Sequence, residues 1–227
     1  DQSGHTYNYE ATELKENGVY RAWHYATSDA NIAGADLYLS TSEDGIDFNG
    51  QGMVLENSPY PEYDSRDIKS PYIVFDGSLY HLYYRALPGL QTGPPDNSNY
   101  TIAYATSNDG TSWEKHGVII STGQAPNFDS YSVGQPIVIH EGGKFEMFYS
   151  GNNGTETRIG YAVSYDGLNW QKQGMIDDID GIILGANRED GYLKVWYQRS
   201  PEQYTYELCI ATDVDIFADS DLDGIPN

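Results

Sequence analysis

The sequence predicts an all-β protein built from four tandem copies of one four-stranded unit. The first observation is a repeated turn, in which an Asp-Gly pair is followed three residues later by an aromatic residue and, four residues after that, by another glycine. The complete copies span residues 44–52, 109–117 and 166–174. The second observation is that no segment of useful length has helical periodicity. Repetition of this kind is typical of architectures assembled from stacked supersecondary units.

The first two strands of each unit, A and B, are predicted to form a hairpin. Strand A and its turn read "EATELKENG", "SPYIVFDGS", "QPIVIHEGG" and "ILGANREDG", and strand B reads "VYRAWHYA", "LYHLYYRA", "KFEMFYSG" and "YLKVWYQR". The turns carry Asn-Gly, Asp-Gly, Gly-Gly and Asp-Gly. These pairs suit a two-residue hairpin because both of its central positions need a positive φ.

The last two strands, C and D, flank the repeated Asp-Gly turn. Strand C holds one small residue in register, which lets neighbouring sheets approach closely: Ser40, Ala105, Ala162 and, in a degraded fourth copy, Ala211. The aromatic residues after the turn are predicted to fill the space between sheets: Phe48, Trp113 and Trp170. We interpret these repeated residues as structural. The fourth copy lacks a recognisable strand D.

Four-stranded sheets that cannot bury both faces alone predict a β-propeller. The four units form a complete four-bladed ring, or they are part of a five-bladed ring. We assign residues 1–217 to the propeller and residues 218–227 to an acidic tail or linker that resembles a calcium loop. The B–C and D–A connections are long and irregular, and they share the rim opposite the short turns. Elaborate loops on a rigid scaffold commonly carry the functional site.

Composition excludes some partners. The chain of 227 residues holds 12 basic and 34 acidic residues, a formal net charge of −22. Such a surface repels nucleic acid and anionic membranes and suits metal cations or a neutral ligand. The single cysteine, Cys209, excludes an internal disulfide, and no run of about 18 apolar residues predicts a membrane span.

The hairpins "YATSNDGTSW" and "YAVSYDGLNW" resemble those of the five-bladed propeller glycosidases of glycoside hydrolase families 43, 32, 62, 68, 117 and 130. The resemblance extends over residues 7–216. It implies cleavage or transfer of furanosides or pyranosides of a plant or algal polysaccharide, by carboxylates at the entrances of the A strands around a central funnel.

Ungapped alignment of the four units places Tyr7, Asp67, Ser132 and Asp180 at one entrance position. We predict that Asp67 and Asp180 face each other across the axis, because glycoside hydrolysis requires a pair of carboxylates that flank the bond. Glu10 is a third candidate, and Arg66 is predicted to hold Asp67 ionised. Turn formation is the alternative role for these aspartates.

Other residues of the same rim are candidates for substrate binding. Tyr63 and Tyr131, with Tyr60 and Phe128, are predicted to stack on sugar rings or to pack within the loops. Two further candidates, His24 and Arg85, end B strands on this rim. Three aspartates that recur three residues before the entrance position have a predicted scaffold role: Asp64, Asp129 and Asp177.

Two alternatives to a glycosidase remain open at this point. The third unit has Ser132 where the resemblance implies a Glu general acid, which favours a propeller that binds carbohydrate without cutting it. The segment "DSDLDGIPN" alternates carboxylates before a glycine, a pattern that binds Ca²⁺ and resembles a thrombospondin type 3 repeat. Its predicted ligands are Asp219, Asp221, Asp223 and Asn227. This predicts a secreted chain with adjoining domains, and a calcium-dependent adhesive module is the second alternative.

Overall fold

The computed structural model describes residues 7–27, 34–89, 99–189, 192–200 and 205–212, with only the backbone described at 7–9 and 177–178. The protein is all-β, and its strands form four antiparallel sheets with the strand order of β-propeller blades, which confirms the predicted fold class. Two blades belong to each of two compact units, residues 1–121 (unit 1) and 122–227 (unit 2). No described segment is a helix long and apolar enough to cross a membrane.

Unit 1 contains the first two blades, each a meander of four strands in sequence order. The strands of the first blade are β1 (Tyr7–Glu16), β2 (Val19–Thr27), β3 (Asp36–Ser42) and β4 (Asn49–Leu55). The strands of the second blade are β5 (Asp67–Phe75), β6 (Tyr80–Leu87), β7 (Thr101–Ser107) and β8 (Glu114–Ile120).

Unit 2 contains the other two blades, which have the same meander order. The strands of the third blade are β9 (Ser132–Glu141), β10 (Lys144–Asn152), β11 (Thr157–Ser164) and β12 (Gln171–Asp180). The strands of the fourth are β13 (Ile182–Glu189), β14 (Tyr192–Arg199) and β15 (Glu207–Thr212). Within the described ranges the fourth blade has three strands, and the segment in which its strand D would follow lies outside the described residues.

The A–B turns match the prediction in two blades and differ in one. The turns Asn17-Gly18 and Gly142-Gly143 have positive φ at both positions, as a two-residue hairpin requires. The prediction was wrong for Asp76-Gly77, because four residues separate β5 from β6 and only Gly77 has a positive φ. Here the Asp76 carboxylate accepts hydrogen bonds from the backbone amides of Ser78 and Leu79 and so shapes a longer turn. The fourth turn, Asp190-Gly191, lies outside the described residues.

The repeated Asp-Gly turns share one hydrogen-bond pattern. In the second blade Asp109 Oδ1 accepts the backbone amides of Thr111 and Ser112 at 2.7 and 2.8 Å. The Ser107 hydroxyl donates to the same carboxylate at 2.9 Å and accepts the Gly110 amide. The turns at Asp44 and Asp166 repeat these contacts. Their side chains are therefore occupied in shaping hairpins.

The apolar core of unit 1 lies between its two sheets. Its buried members include Trp23, Leu37, Ile68 and Leu82, and the partly buried Trp113 packs against them. The small C-strand residues are buried as predicted: Ser40, Ala105 and Ala162. Phe48, by contrast, is 37% exposed, so the first copy of the aromatic position is only partly covered.

Candidate functional site

Each A strand carries a β-bulge at the same place. In β1 the extra residue is Glu10, and in β5 and β9 the bulge contains Ser70 and Gln135, each with φ of +46°. Bulges re-aim side chains and are frequent next to active sites. A positive φ is costly for residues other than glycine, so the surrounding packing must enforce it.

The strand register supports the ungapped alignment of the entrance positions. The residue two positions after Asp67 pairs with a residue of strand B. The residues two positions after Ser132 and Asp180 pair with the equivalent positions of their own B strands. Their backbones nevertheless differ. Asp67 and Ser132 pair within their own blades, with Leu87 and Asn152, whereas Asp180 ends β12 and pairs with Arg158 of the preceding blade.

Asp67 lies fully buried in unit 1 among basic and phenolic groups. Its Oδ2 atom is 3.0 Å from Lys69 Nζ and 3.3 Å from the Tyr100 hydroxyl, and Arg66 Nε is farther away at 3.9 Å. No described residue makes a hydrogen bond to its other oxygen, Oδ1. The closest cation is therefore Lys69, which we did not identify from the sequence. The available signal was its position two residues after Asp67, on the same face of a strand.

Arg85 completes a layer of cations beside Asp67. Its guanidinium carbon stands 3.5 Å from the centroid of the Tyr100 ring, a close cation–π contact. Burial lowers the pKa of both Arg85 and Lys69, and burial raises the pKa of Tyr100 to about 12. Tyr100 was not identified from the sequence either, because it follows a long insertion and reaches Asp67 only in the fold.

Glu10 is the exposed carboxylate of this region. The Ser70 hydroxyl donates a hydrogen bond to Glu10 Oε2, which joins the bulges of β1 and β5. Arg85 is attracted electrostatically by both Glu10 and Asp67. We call this group the entrance cluster, and its members are Glu10, Arg66, Asp67, Lys69, Ser70, Arg85 and Tyr100. It places two carboxylates among three cations in a chain with only 12 basic residues.

Asp180 lies in unit 2 and is solvent-exposed. Its predicted position opposite Asp67 stays a prediction. Ser132, the equivalent residue of the third blade, is buried and has no carboxylate. Towards the other end of β10, Glu146 is held by Arg188 Nε and Nη2 at 2.9–3.1 Å and by the Tyr161 hydroxyl at 2.6 Å. Although burial opposes the shift, these hydrogen bonds lower the pKa of Glu146, which suits an ion pair between blades better than an acid catalyst.

Two of the recurring aspartates have one structural role. Asp64 accepts hydrogen bonds from Lys115 Nζ at 2.6 Å and from the Tyr84 hydroxyl at 3.1 Å. In unit 2, Asp129 makes the same contacts with Lys172 at 2.6 Å and Tyr149 at 3.3 Å. These Asp-Tyr-Lys triads anchor the D–A loops to strands B and D, which supports the scaffold interpretation. The side chain of Asp177 lies outside the described part of the chain.

The other predicted binding residues differ in exposure. Tyr63 packs against the core of unit 1, and its hydroxyl lies 3.3 Å from that of Tyr84. His24 is buried, with Nε2 3.1 Å from Ser40 Oγ. Tyr131 is 40% exposed, and its backbone amide donates to Asn152 O. Of these three candidates, Tyr131 presents the most surface to a ligand.

Sequence comparisons relate the chain to carbohydrate-active proteins. No protein-family model matches. An uncharacterized protein of Mycobacterium tuberculosis is 32% identical over 126 residues, covering 54% of this chain and 40% of that protein. A β-1,2-mannobiose phosphorylase of a Thermoanaerobacter species is 25% identical over 153 residues, covering 62% of this chain and 50% of that enzyme. The chain spans at most half the length of these curated relatives.

Solved structures share the fold. A family 117 glycoside hydrolase of the marine bacterium Zobellia galactanivorans superimposes with a TM-score of 0.75 and 16% identity, over 90% of this chain and 66% of that one. The β-1,2-mannobiose phosphorylase of Listeria innocua, solved with β-1,2-mannobiose, gives 0.62 and 18%, over 84% and 54%. The chain therefore shares the fold of these carbohydrate-active enzymes, and its sequence is similar to that of one β-1,2-mannobiose phosphorylase.

The shared fold agrees with the resemblance to the propeller glycosidases, whereas the resemblance of the tail to a calcium repeat stays a prediction. The predicted calcium ligands lie outside the described residues: Asp219, Asp221, Asp223 and Asn227. Within the described residues, no three His, Cys, Asp or Glu side chains are grouped so that they could hold a metal ion.

Proposed function

We propose that this chain cleaves or transfers glycosidic bonds of an oligosaccharide, with the entrance cluster as its reaction centre. The observation that carries the proposal is the gathering of Glu10 and Asp67 with Lys69, Arg66 and Arg85 at the start of β5. An exposed carboxylate can transfer the proton that cleavage of a glycosidic bond requires, and the neighbouring positive charge can stabilise a negatively charged leaving or acceptor oxygen.

The two carboxylates have different proposed roles because their exposure differs. Glu10 is exposed and can reach a sugar, so it transfers a proton to the leaving glycosidic oxygen or from the attacking group. Asp67 is fully buried and acts as a positioning residue that holds Lys69 and the Tyr100 hydroxyl. Lys69 and Arg85 then offset the negative charge that develops on the leaving glycosidic oxygen or is carried by an anionic acceptor.

The acceptor of the glycosyl group is water or inorganic phosphate. In the first case the bond between the anomeric carbon and the glycosidic oxygen breaks, a bond to water oxygen forms, and the leaving oxygen gains a proton. In the second case a phosphate oxygen forms the new bond, and the product is a sugar 1-phosphate. The related β-1,2-mannobiose phosphorylase supports phosphate, and the structural likeness to a family 117 hydrolase supports water.

The test uses β-1,2-mannobiose and a panel of plant and algal oligosaccharides, each incubated with and without inorganic phosphate. Reducing sugar without phosphate indicates hydrolysis, and sugar 1-phosphate indicates phosphorolysis. We expect Glu10→Gln to lower kcat about 10²- to 10⁴-fold. Glu13→Gln is the matched control, since Glu13 is an exposed glutamate of the same strand. Equal activity of both variants would remove Glu10 from the proposal, and absence of product from every substrate would overturn it.

A non-catalytic carbohydrate-binding propeller is the second candidate. The complete burial of Asp67 against Lys69 favours it, because a substrate cannot contact a carboxylate that has no exposed surface. Saturable binding of an oligosaccharide that is never converted, with or without phosphate, would establish this reading.

We further propose that the protein works outside the cell and that its acidic tail binds Ca²⁺ as a structural ion. Calorimetric titration of the full chain with Ca²⁺ tests the tail. We expect the heat of binding to disappear when Asp219, Asp221 and Asp223 are changed together to Asn. Full retention of binding in this variant would overturn the calcium proposal. Loss of carbohydrate binding on chelation, with the propeller still folded, would instead favour the adhesive module.

A further inference from the structure

Unit 2 contains a cavity of about 520 Å³ that is separate from the entrance cluster. Its walls come from the D–A loop before β9, the end of β10, the connection that follows it, and β12. The volume lies within the range of small-molecule sites. We call this cavity the loop pocket.

The internal repeat explains why the loop pocket is open. In unit 1 the triad lysine, Lys115, also donates to Ser58 Oγ at 2.9 Å and to Glu56 O at 2.7 Å. In unit 2 the position of Ser58, six residues before the triad aspartate, is Gly123. A Cβ atom there would lie 2.2 Å from Asp129 Oδ1, so this position admits no side chain. Gly123 therefore lines the loop pocket together with Lys172. At the equivalent position of unit 1, the Ser58 hydroxyl accepts a hydrogen bond from the lysine, Lys115.

The wall of the loop pocket has one apolar side and one polar side. Phe128, Pro126 and Met175 supply the apolar surface, and Met175 is 48% exposed. The ring of Phe128 packs closely against Gly151, where a Cβ atom would lie 2.5 Å from a ring carbon. The shape of the aromatic side is thereby fixed before any ligand arrives.

The polar side offers hydrogen bonds without surplus charge. Asn127, Asn153 and Glu156 line it together with Lys172. The Lys172 ammonium is compensated by Asp129 at 2.6 Å, and the Glu156 carboxylate by Arg158 at 2.9 Å. An anion gains little from such a wall. A ligand with an apolar face and many neutral hydroxyl groups matches it, since amide and hydroxyl groups both donate and accept hydrogen bonds.

We propose that the loop pocket is a second carbohydrate site, which takes a neutral hexopyranose residue with its C–H face on Phe128. The site is distinct from the entrance cluster and does not depend on catalysis there.

The test measures binding of methyl mannoside, methyl glucoside and methyl galactoside by calorimetry and ligand-observed NMR. We expect saturable binding of at least one hexoside with a Kd on the order of 1 mM. Met175→Arg places a bulky cation in the pocket and is expected to weaken binding at least tenfold. Met53→Arg is the matched control, because Met53 follows the equivalent glycine of the first blade and is equally exposed at 47%. Asp67→Asn should leave this binding unchanged.

A second pair of variants keeps the test valid if Met175→Arg misfolds. Asn127→Ala removes a polar group from the pocket wall, and Glu62→Ala makes the same change at the equivalent exposed position in unit 1. Binding that is weakened by Asn127→Ala and kept by Glu62→Ala supports the site. Binding of no hexoside, or equal affinity in wild type, Met175→Arg and Asn127→Ala, overturns it. Loss of binding in Asp67→Asn alone would assign the hexoside to the entrance cluster and overturn the loop pocket.

Discussion

At the scale of single residues, lysine side chains form the ion pairs that stabilise buried carboxylates. Asp64, Asp67 and Asp129 are almost completely buried, and each has a lysine ammonium within 3.0 Å. A buried charge is costly unless it is paired and hydrogen-bonded. The 12 basic residues of this acidic chain are therefore concentrated where the structure needs them.

We predict that Lys115→Met destabilises the protein by about 1–3 kcal/mol, because it leaves the Asp64 carboxylate buried without its cation. Lys172→Met should cost less. Its side chain is more exposed than that of Lys115, at 33% against 20%, so solvent screens its ion pair more strongly. Urea denaturation of both variants measures the difference. A larger loss for Lys172→Met would contradict this ranking.

The turn aspartates predict a loss of stability in acid. Hydrogen bonds from the backbone amides of Asp47 and Ile46 lower the pKa of Asp44 from 3.8 to about 2, and equivalent turn bonds lower the pKa of Asp109 and Asp166. A carboxyl whose pKa is depressed by folding stabilises the protein above its unfolded pKa and loses that effect as pH falls through the folded value. The free energy of unfolding should therefore decrease from about pH 4 towards pH 2.

Replacement of all three turn aspartates by asparagine tests this prediction. Asparagine keeps an oxygen that can accept the turn bonds but does not titrate in this range. Urea midpoints measured between neutral and acidic pH should fall less steeply for the variant than for the wild type. Identical slopes would show that other groups carry the acid sensitivity.

At the scale of the element, the same hairpin and bulge recur because they are determined locally. The Asp-Gly turn keeps its Ser, Asp and Gly contacts in three blades, and positive φ at glycine is part of each. The bulges place Glu10 and Ser70 in contact, which joins two neighbouring A strands. Turn chemistry could be predicted from sequence; the contact between bulges could not, since it depends on how two sheets pack.

We predict that Gly110→Ala is more damaging than Gly117→Ala in the same blade. Both glycines have positive φ, which costs an alanine about 1–2 kcal/mol. A Cβ at Gly110 would also lie 2.8 Å from both Arg21 Nη2 and Trp23 Cζ2, whereas Gly117 faces open space. Thermal unfolding of the two variants compares them directly. Equal losses would show that the neighbours of Gly110 move aside at no cost.

At the scale of the whole molecule, net charge is the dominant property. With 34 acidic and 12 basic residues, the surface repels itself, and salt screens such repulsion over about 10 Å at 0.1 M. We predict that the free energy of unfolding rises when NaCl is raised from about 0.05 to 0.5 M. Denaturation in urea measures it, because urea adds no charge. A fall in stability with salt would mean that attractive pairs such as Lys115–Asp64 outweigh the repulsion.

The sequence by itself determined the blades, their order, most of their turns and the relationship to carbohydrate-active propellers, because turn chemistry and strand alternation act between residues close in the chain. It also placed Asp67 at the entrance of an A strand and Glu10 within the first A strand. Only the tertiary structure decided that Lys69 and Tyr100 contact Asp67, and that Gly123 lines a pocket with Lys172 in unit 2, whereas Ser58 at the equivalent position of unit 1 accepts a hydrogen bond from Lys115. Tyr100 is 33 residues from Asp67 along the chain. Such contacts depend on burial and packing between distant segments, which no local pattern encodes.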